Sequence, residues 1–145
     1  MIGVVVVTHG QLATEFVNAA EAIIGDLPQF AAVSIGWHDD VDDAREEIHQ
    51  AIARVQGPSG VIVLTDMFGG TPANLGLTFL EANRVEIITG VNLPMLIKLA
   101  SLQSSADLLA AAREIREAGR NGIWVASDLL KHAPSGESTT PADAS

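Results

Sequence analysis

The stretch Ile2-Gly3-Val4-Val5-Val6-Val7-Thr8-His9-Gly10 decides the fold. Ile2–Val7 is a β-branched run without polar alternation, the pattern of a strand covered on both faces. After Thr8-His9-Gly10, the apolar positions Leu12, Phe16, Ala19/Ala20 and Ile23/Ile24 recur at helical spacing, and Gly25 closes that helix. A double-sided strand, a tight turn and an amphipathic helix form the opening unit of an α/β fold.

The same alternation continues outward. Phe30–Gly36 reads as a second, weaker strand. Asp39 or Asp40 then caps a helix with Val41, Ala44, Ile48, Ile52 and Val55 on its apolar face, ended by Gly57-Pro58. Val61–Thr65 is the third strand. Thr71-Pro72 reads as an N-cap followed by proline, opening a helix to about Ala82. Val85–Thr89 is the fourth strand, and Asn92-Leu93-Pro94 opens another helix. Ser104 or Ser105 caps a last helix that ends at Gly119, and Ile123–Ala126 reads as a short fifth strand. The expected fold is a three-layer, doubly wound α/β sandwich on a mostly parallel four-stranded sheet. Residues 1–130 form one domain, and the Ser/Thr/Pro/Ala-rich segment 131–145 is expected to be disordered.

Composition narrows the function. Apolar residues make up 48% of the 145 positions and charged residues 18%, which is a globular balance. Eight Lys+Arg against eighteen Asp+Glu leave a formal charge of -10, so neither nucleic acid nor an anionic membrane surface is the expected partner. The chain has no cysteine, which removes disulfides, thiolate metal sites and cysteine nucleophiles together. Mean hydropathy is +0.29, yet no run approaches the roughly 18 apolar residues of a membrane span. No basic leader precedes Ile2, so a cytoplasmic location without membrane insertion is expected.

In an open parallel sheet, ligands bind beyond the carboxyl ends of the strands, where strand order reverses. Three unusual loops stand at such ends: Thr8-His9-Gly10, the stretch from Asp66 to Pro72, and the stretch from Gly90 to Pro94. Asp66 can accept from one nitrogen of His9 and fix its tautomer, leaving the other nitrogen as a nucleophile. Gly69 and Gly70 let backbone approach a ligand, and their amides lead into a helix N-terminus, a natural anion site. Thr71 can cap that helix or donate its hydroxyl to an oxyanion. A nucleophilic imidazole beside an anion cradle points to phosphoryl transfer through phosphohistidine. No GxxxxGK[ST] loop and no GxGxxG fingerprint is present, so nucleoside triphosphate and dinucleotide readings lack their usual cradles.

The segments VVVTHG (5–10), LTDMFGGTPAN (64–74) and ITGVNLPML (88–96) strongly resemble the enzyme IIA component of the mannose-type sugar phosphotransferase system. The resemblance covers about residues 1–130. It implies that His9 takes a phosphoryl group from the histidine phosphocarrier protein HPr and passes it to a separate IIB component. It also implies that Asp66 hydrogen-bonds His9, that Thr71 lines the phosphoryl site, and that the protein is a homodimer exchanging a C-terminal strand. No metal or organic cofactor is implied. Two neighbouring readings share the same histidine: a regulatory module that reports phosphorylation state, and the phosphoryl-donor subunit of a dihydroxyacetone kinase. A nucleotide- or flavin-binding α/β protein without phosphotransfer stands apart from all three.

Around this core, Thr8, Gly10, Asn92 and Pro94 are read as pocket wall and Phe68 as an exposed partner contact. His38, His49 and His132 are expected to be solvated. His38-Asp39-Asp40 is a poor metal site, because adjacent residues at a helix cap do not converge on one ion. The acids from Asp39 to Glu47 are either a solvated helix start or a docking surface for a basic partner. Trp37 and Trp124 belong to core or interface.

Overall fold

The structure, a computed structural model, describes residues 1–102 and 107–131. Its elements run β1 (Gly3–His9), α1 (Leu12–Ile24), β2 (Phe30–Ile35), α2 (Val41–Val55), β3 (Val61–Thr65), α3 (Gly70–Leu77), β4 (Val85–Thr89), α4 (Leu93–Ser101), α5 (Leu108–Asn121) and α6 (Ala126–Lys131). The four strands form one parallel sheet in the order β2-β1-β3-β4.

The valine run behaves as a strand with two covered faces. Val4 and Val6 point into one core with Ile62, Leu64 and Ile88, sealed by α1, α4 and α5. Val5 and Val7 point the opposite way, into a core closed by Ala44, Ile48 and Ile52 of α2 and Leu75 of α3. All four valines are fully buried, and each such side chain contributes about 1.5–3 kcal/mol over its exposed state. The handedness of parallel crossovers dictates which helix lies where. β1 steps to β2 in one direction with α1 on the first face. The chain then reverses across β1 to β3, so α2 and α3 take the second face. That reversal puts the switch point between β1 and β3.

Helix ends follow local chemistry. Asp40 sits in extended geometry and accepts from the N–H groups of Asp42 and Asp43, at 2.7 and 3.4 Å. Asn92 accepts from the Met95 N–H at 3.3 Å. Ser104 and Ser105 lie outside the described residues, and the cap seen at α5 is Asp107, which accepts from Leu109 and Ala110.

Four expectations need correction. Ile123–Ala126 is not a strand: 123–125 carry no regular structure and Ala126 opens α6. A strand needs a ladder partner, whereas here Asp128 and Leu129 donate back to the Val125 carbonyl, at 3.0 and 3.1 Å, and start a helix locally. Helix α3 stops at Leu77 instead of Ala82, because the N–H groups of Thr78, Phe79 and Leu80 bond three residues back and tighten the chain out of α geometry. Thr71 does not cap α3; Gly69 holds that position, and α5 runs past Gly119 to Asn121. No helix among the described residues is long and apolar enough to cross a membrane.

Candidate active site

His9 is the last residue of β1, in register with Ile35 of β2, and Asp66 directly follows β3. The two strands flank the switch point, so both side chains reach the same crevice. His9 Nδ1 lies 2.7 Å from Asp66 Oδ2, and the His9 backbone N–H donates to that same oxygen at 3.1 Å. One carboxylate oxygen therefore fixes both the ring and the strand end carrying it. With Nδ1–H donating to Asp66, Nε2 holds the lone pair.

Burial differs between the partners. The His9 side chain is 51% exposed and the Asp66 side chain 16%. Burial pushes the Asp66 carboxyl up, but the hydrogen bonds from the His9 ring and backbone, with the His9 charge, outweigh it and hold the group below its ordinary value. Asp66 Oδ1 is buried with no hydrogen-bond partner among the described residues.

The open edge of the imidazole faces the start of α3. A Cβ placed on Gly70 would lie 3.2 Å from His9 Cε1 and 3.3 Å from Nε2. Gly69 and Gly70 have φ of 85° and 83°, a left-handed region that side chains disfavour. Gly69 brings no side-chain cap, so the first N–H groups of α3 stay available to a ligand's oxygens beside Nε2. Thr71, exposed in the first turn of α3, lies one residue beyond Gly70.

Other candidate residues have different employment. Thr8 is fully buried, and its hydroxyl accepts from the Ala13 N–H at 2.6 Å, tying the start of α1 to β1. Gly10 donates to the Ile35 carbonyl at 2.9 Å and carries the turn at φ 55°. Asn92 donates to the Gly119 carbonyl at 2.9 Å while capping α4, and a Cβ on Gly122 would meet Pro94 Cγ, so both residues are engaged with the end of α5. Phe68 is 82% exposed. Trp37, expected in core or interface, is 94% exposed. Thr65 was not singled out by sequence: its carbonyl accepts from Gly90 and Val91, at 2.9 and 3.0 Å, pinning the β4–α4 loop to β3. Only strand register reveals that role.

The pattern of the family described as the PTS system fructose IIA component matches residues 3–116, which include every residue of this site. The chain belongs to the mannose-type EIIA family. Family membership makes it a component of a sugar phosphotransferase phosphoryl relay. It is 27% identical to the PTS system fructose-specific EIIA component of Bacillus subtilis (strain 168), over 99% of both chains. It is 29% identical to the mannose-specific EIIAB component of Escherichia coli (strain K12), covering 97% of this chain but 45% of that one. The crystal structure of phosphotransferase system component EIIA from Streptococcus agalactiae superposes with a TM-score of 0.79 at 21% identity, covering 88% of this chain and 99% of that one, and shares the fold.

Proposed function

We propose that His9 carries the phosphoryl group, on Nε2. A phosphohistidine on an HPr-like carrier approaches with its phosphorus in line with the Nε2 lone pair. The Nε2–P bond forms as the carrier's N–P bond breaks, and the electron pair returns to the carrier's ring. Asp66 keeps the Nδ1 proton in place throughout and balances the positive charge that develops on the ring. The amides at the start of α3 take up charge on the three transferring oxygens. The reverse geometry delivers the group to a IIB component, all within the cytoplasm.

The observation that carries this reading is the 2.7 Å Nδ1–Oδ2 contact with Gly70 set against the Nε2 edge. Mass spectrometry under alkaline conditions, after incubation with phosphorylated carrier, should find one added phosphoryl group that His9→Ala loses. Equal labelling of that variant would refute the assignment.

We also propose that the protein is a homodimer. Ile123 and Leu109 are exposed and line an open groove of about 420 Å³ between β4 and α5, where a second copy would cover them, and Val125 and Leu130 further along the chain are exposed as well.

A further inference from the structure

Along α5 and the turn after it, Leu109, Arg113, Arg116, Arg120 and Ile123 follow one another at helical intervals and share the side that faces β4. Between this stripe and the strand runs the open groove of about 420 Å³, a volume in the range of small-molecule sites. Its charge is opposite to that of the chain. The whole carries a formal charge of -10, yet three of its eight Lys and Arg residues line this groove against one acid, Glu86. The rise from Arg113 to Arg120 is about 10 Å, within the reach of one small ligand.

The arginines have weak partners. Arg113 makes no ion pair among the described residues. Arg116 and Arg120 share the exposed Glu117 carboxylate, at 3.0 and 3.1 Å. Such exposed pairs are worth little, and a phosphate that accepts two N–H bonds from one guanidinium would displace them. Glu86 is turned away to its own strand, accepting from the Ile87 N–H at 3.1 Å. On the β4 wall, the Ile87 carbonyl and the Thr89 N–H point away from β3 and have no partner among the described residues. Met95 and Ala112, both buried, supply an apolar floor.

We propose that this groove binds a small phosphate monoester with a hydroxylated body, a sugar phosphate in chemical class. The arginine forks take the phosphate, the Ile87 carbonyl and Thr89 N–H take hydroxyl groups, and the C–H face of the body lies on Met95 and Ala112. Three guanidinium groups suit the double charge and three oxygens of a phosphate better than the single charge of a carboxylate. The choice of a sugar body rests on the phosphoryl-relay reading, since a sugar phosphotransferase relay ends in a phosphorylated sugar; the anion site rests on the groove alone. None of these residues belongs to the His9 site. A second copy over Leu109 and Ile123 would bring further arginines to the same surface, and a bound dianion offsets that repulsion.

The test titrates the full chain with glucose 6-phosphate, fructose 1-phosphate, glucose and inorganic phosphate, followed by NMR. At least one of the two sugar phosphates should bind with a Kd below about 1 mM, and glucose and inorganic phosphate at least tenfold more weakly. The shifted signals should be the Thr89 amide and the side chains of Arg113, Arg116 and Arg120. Arg113→Gln combined with Arg116→Gln should weaken binding at least tenfold, while the double Lys variant keeps part of it. Both positions are exposed on α5, and glutamine preserves the helix. Binding within twofold of wild type in the Gln variant would overturn the site. Inorganic phosphate binding as tightly as both sugar phosphates would overturn the ligand class. Shifts confined to the Gly70 and Thr71 amides would place the anion at the phosphoryl site and overturn the groove. Labelling by phosphoramidate, a small-molecule phosphoryl donor, reads the relay separately. A wild-type His9 that takes no label would overturn the relay reading, and sugar phosphate shifts along α5 would leave the groove standing.

Discussion

Asp66 holds His9 through a single oxygen, and that concentrates the consequences of changing it. Asp66→Asn keeps the size but can present an N–H to Nδ1, which leaves Nε2 protonated and without a lone pair. Phosphoryl transfer should fall by about 10²–10⁴-fold while the variant remains folded and melts cooperatively, somewhat below wild type at neutral pH. Near-normal transfer in a folded variant would reduce Asp66 to a turn residue. The same contact has a pH signature. Because folding lowers the Asp66 pKa, the ionised group stabilises the fold above its unfolded value, and this contribution fades as pH falls through the lower folded value. The stability gap between wild type and Asp66→Asn should therefore shrink on acidification from neutral pH to below about 4, as chemical denaturation at several pH values would show. Gly69 and Gly70 offer an internal control, since both have φ near 85° but only Gly70 faces the imidazole. Each Ala variant should lose about 1–2 kcal/mol of stability to backbone strain. Only Gly70→Ala should also lose transfer, by tenfold or more, through pressure on Cε1 and Nε2. Equal transfer rates for the two variants would remove Gly70 from the site. His9 and Asp66 were legible because each ends or follows a strand that composition alone marks. The employment of Thr8 and Asn92 was not, because hydrogen bonds to Ala13 and Gly119 depend on how helices seat against the sheet.

At the scale of elements, the strands were read from β-branched runs almost to the residue, and helix ends were read less well. Two-sided burial writes a strand directly into the sequence, whereas a helix end depends on which polar group reaches the orphan N–H groups first. At α5 that group is Asp107, Ser104 and Ser105 lying outside the described residues; at α3 no side chain caps at all, because the left-handed Gly69 opens the helix and leaves Thr71 inside its first turn. Ile123–Ala126 failed differently: its apolar residues suit a strand, but the described residues offer no ladder beside them and α6 closes locally. Gly119 read as a helix stop and is instead a packing position. It is buried in α5, and a Cβ there would lie 2.7 Å from Cγ and Sδ of the buried Met95 in α4. Gly119→Ala should cost about 1–3 kcal/mol from overpacking, visible as a lower melting temperature. Because α4 and α5 carry none of the phosphoryl site, phosphoramidate labelling of His9 should be unchanged in that variant.

At the scale of the whole molecule, β4 is one of the two edge strands of the sheet. On β4, the Arg84 carbonyl and the Gly90 N–H point to β3, so Val85, Ile87 and Thr89 turn their backbone groups to the open edge. Val85 is occupied by an isolated bridge to Glu81, and the Ile87 N–H is taken by the Glu86 carboxylate at 3.1 Å. The edge is thus partly blunted by its own side chains, a common defence against unplanned strand pairing. Beside it, Ile123 is 74% exposed and shares the β4–α5 groove with the exposed Leu109, and Leu130 of the following helix α6 is 76% exposed. A two-fold contact through this surface would cover both copies' apolar residues with one self-complementary patch. Light scattering should accordingly find a dimer at micromolar concentration. Ile123→Asp combined with Leu130→Asp should shift it to monomer, and both positions are exposed enough for the fold to survive the change. A monomeric wild type at that concentration would refute the dimer. The labelled histidine separates this outcome from the chemistry, since β1, β3 and α3 assemble the His9 site within one chain, and the monomeric variant should still accept phosphate from phosphoramidate at the wild-type rate.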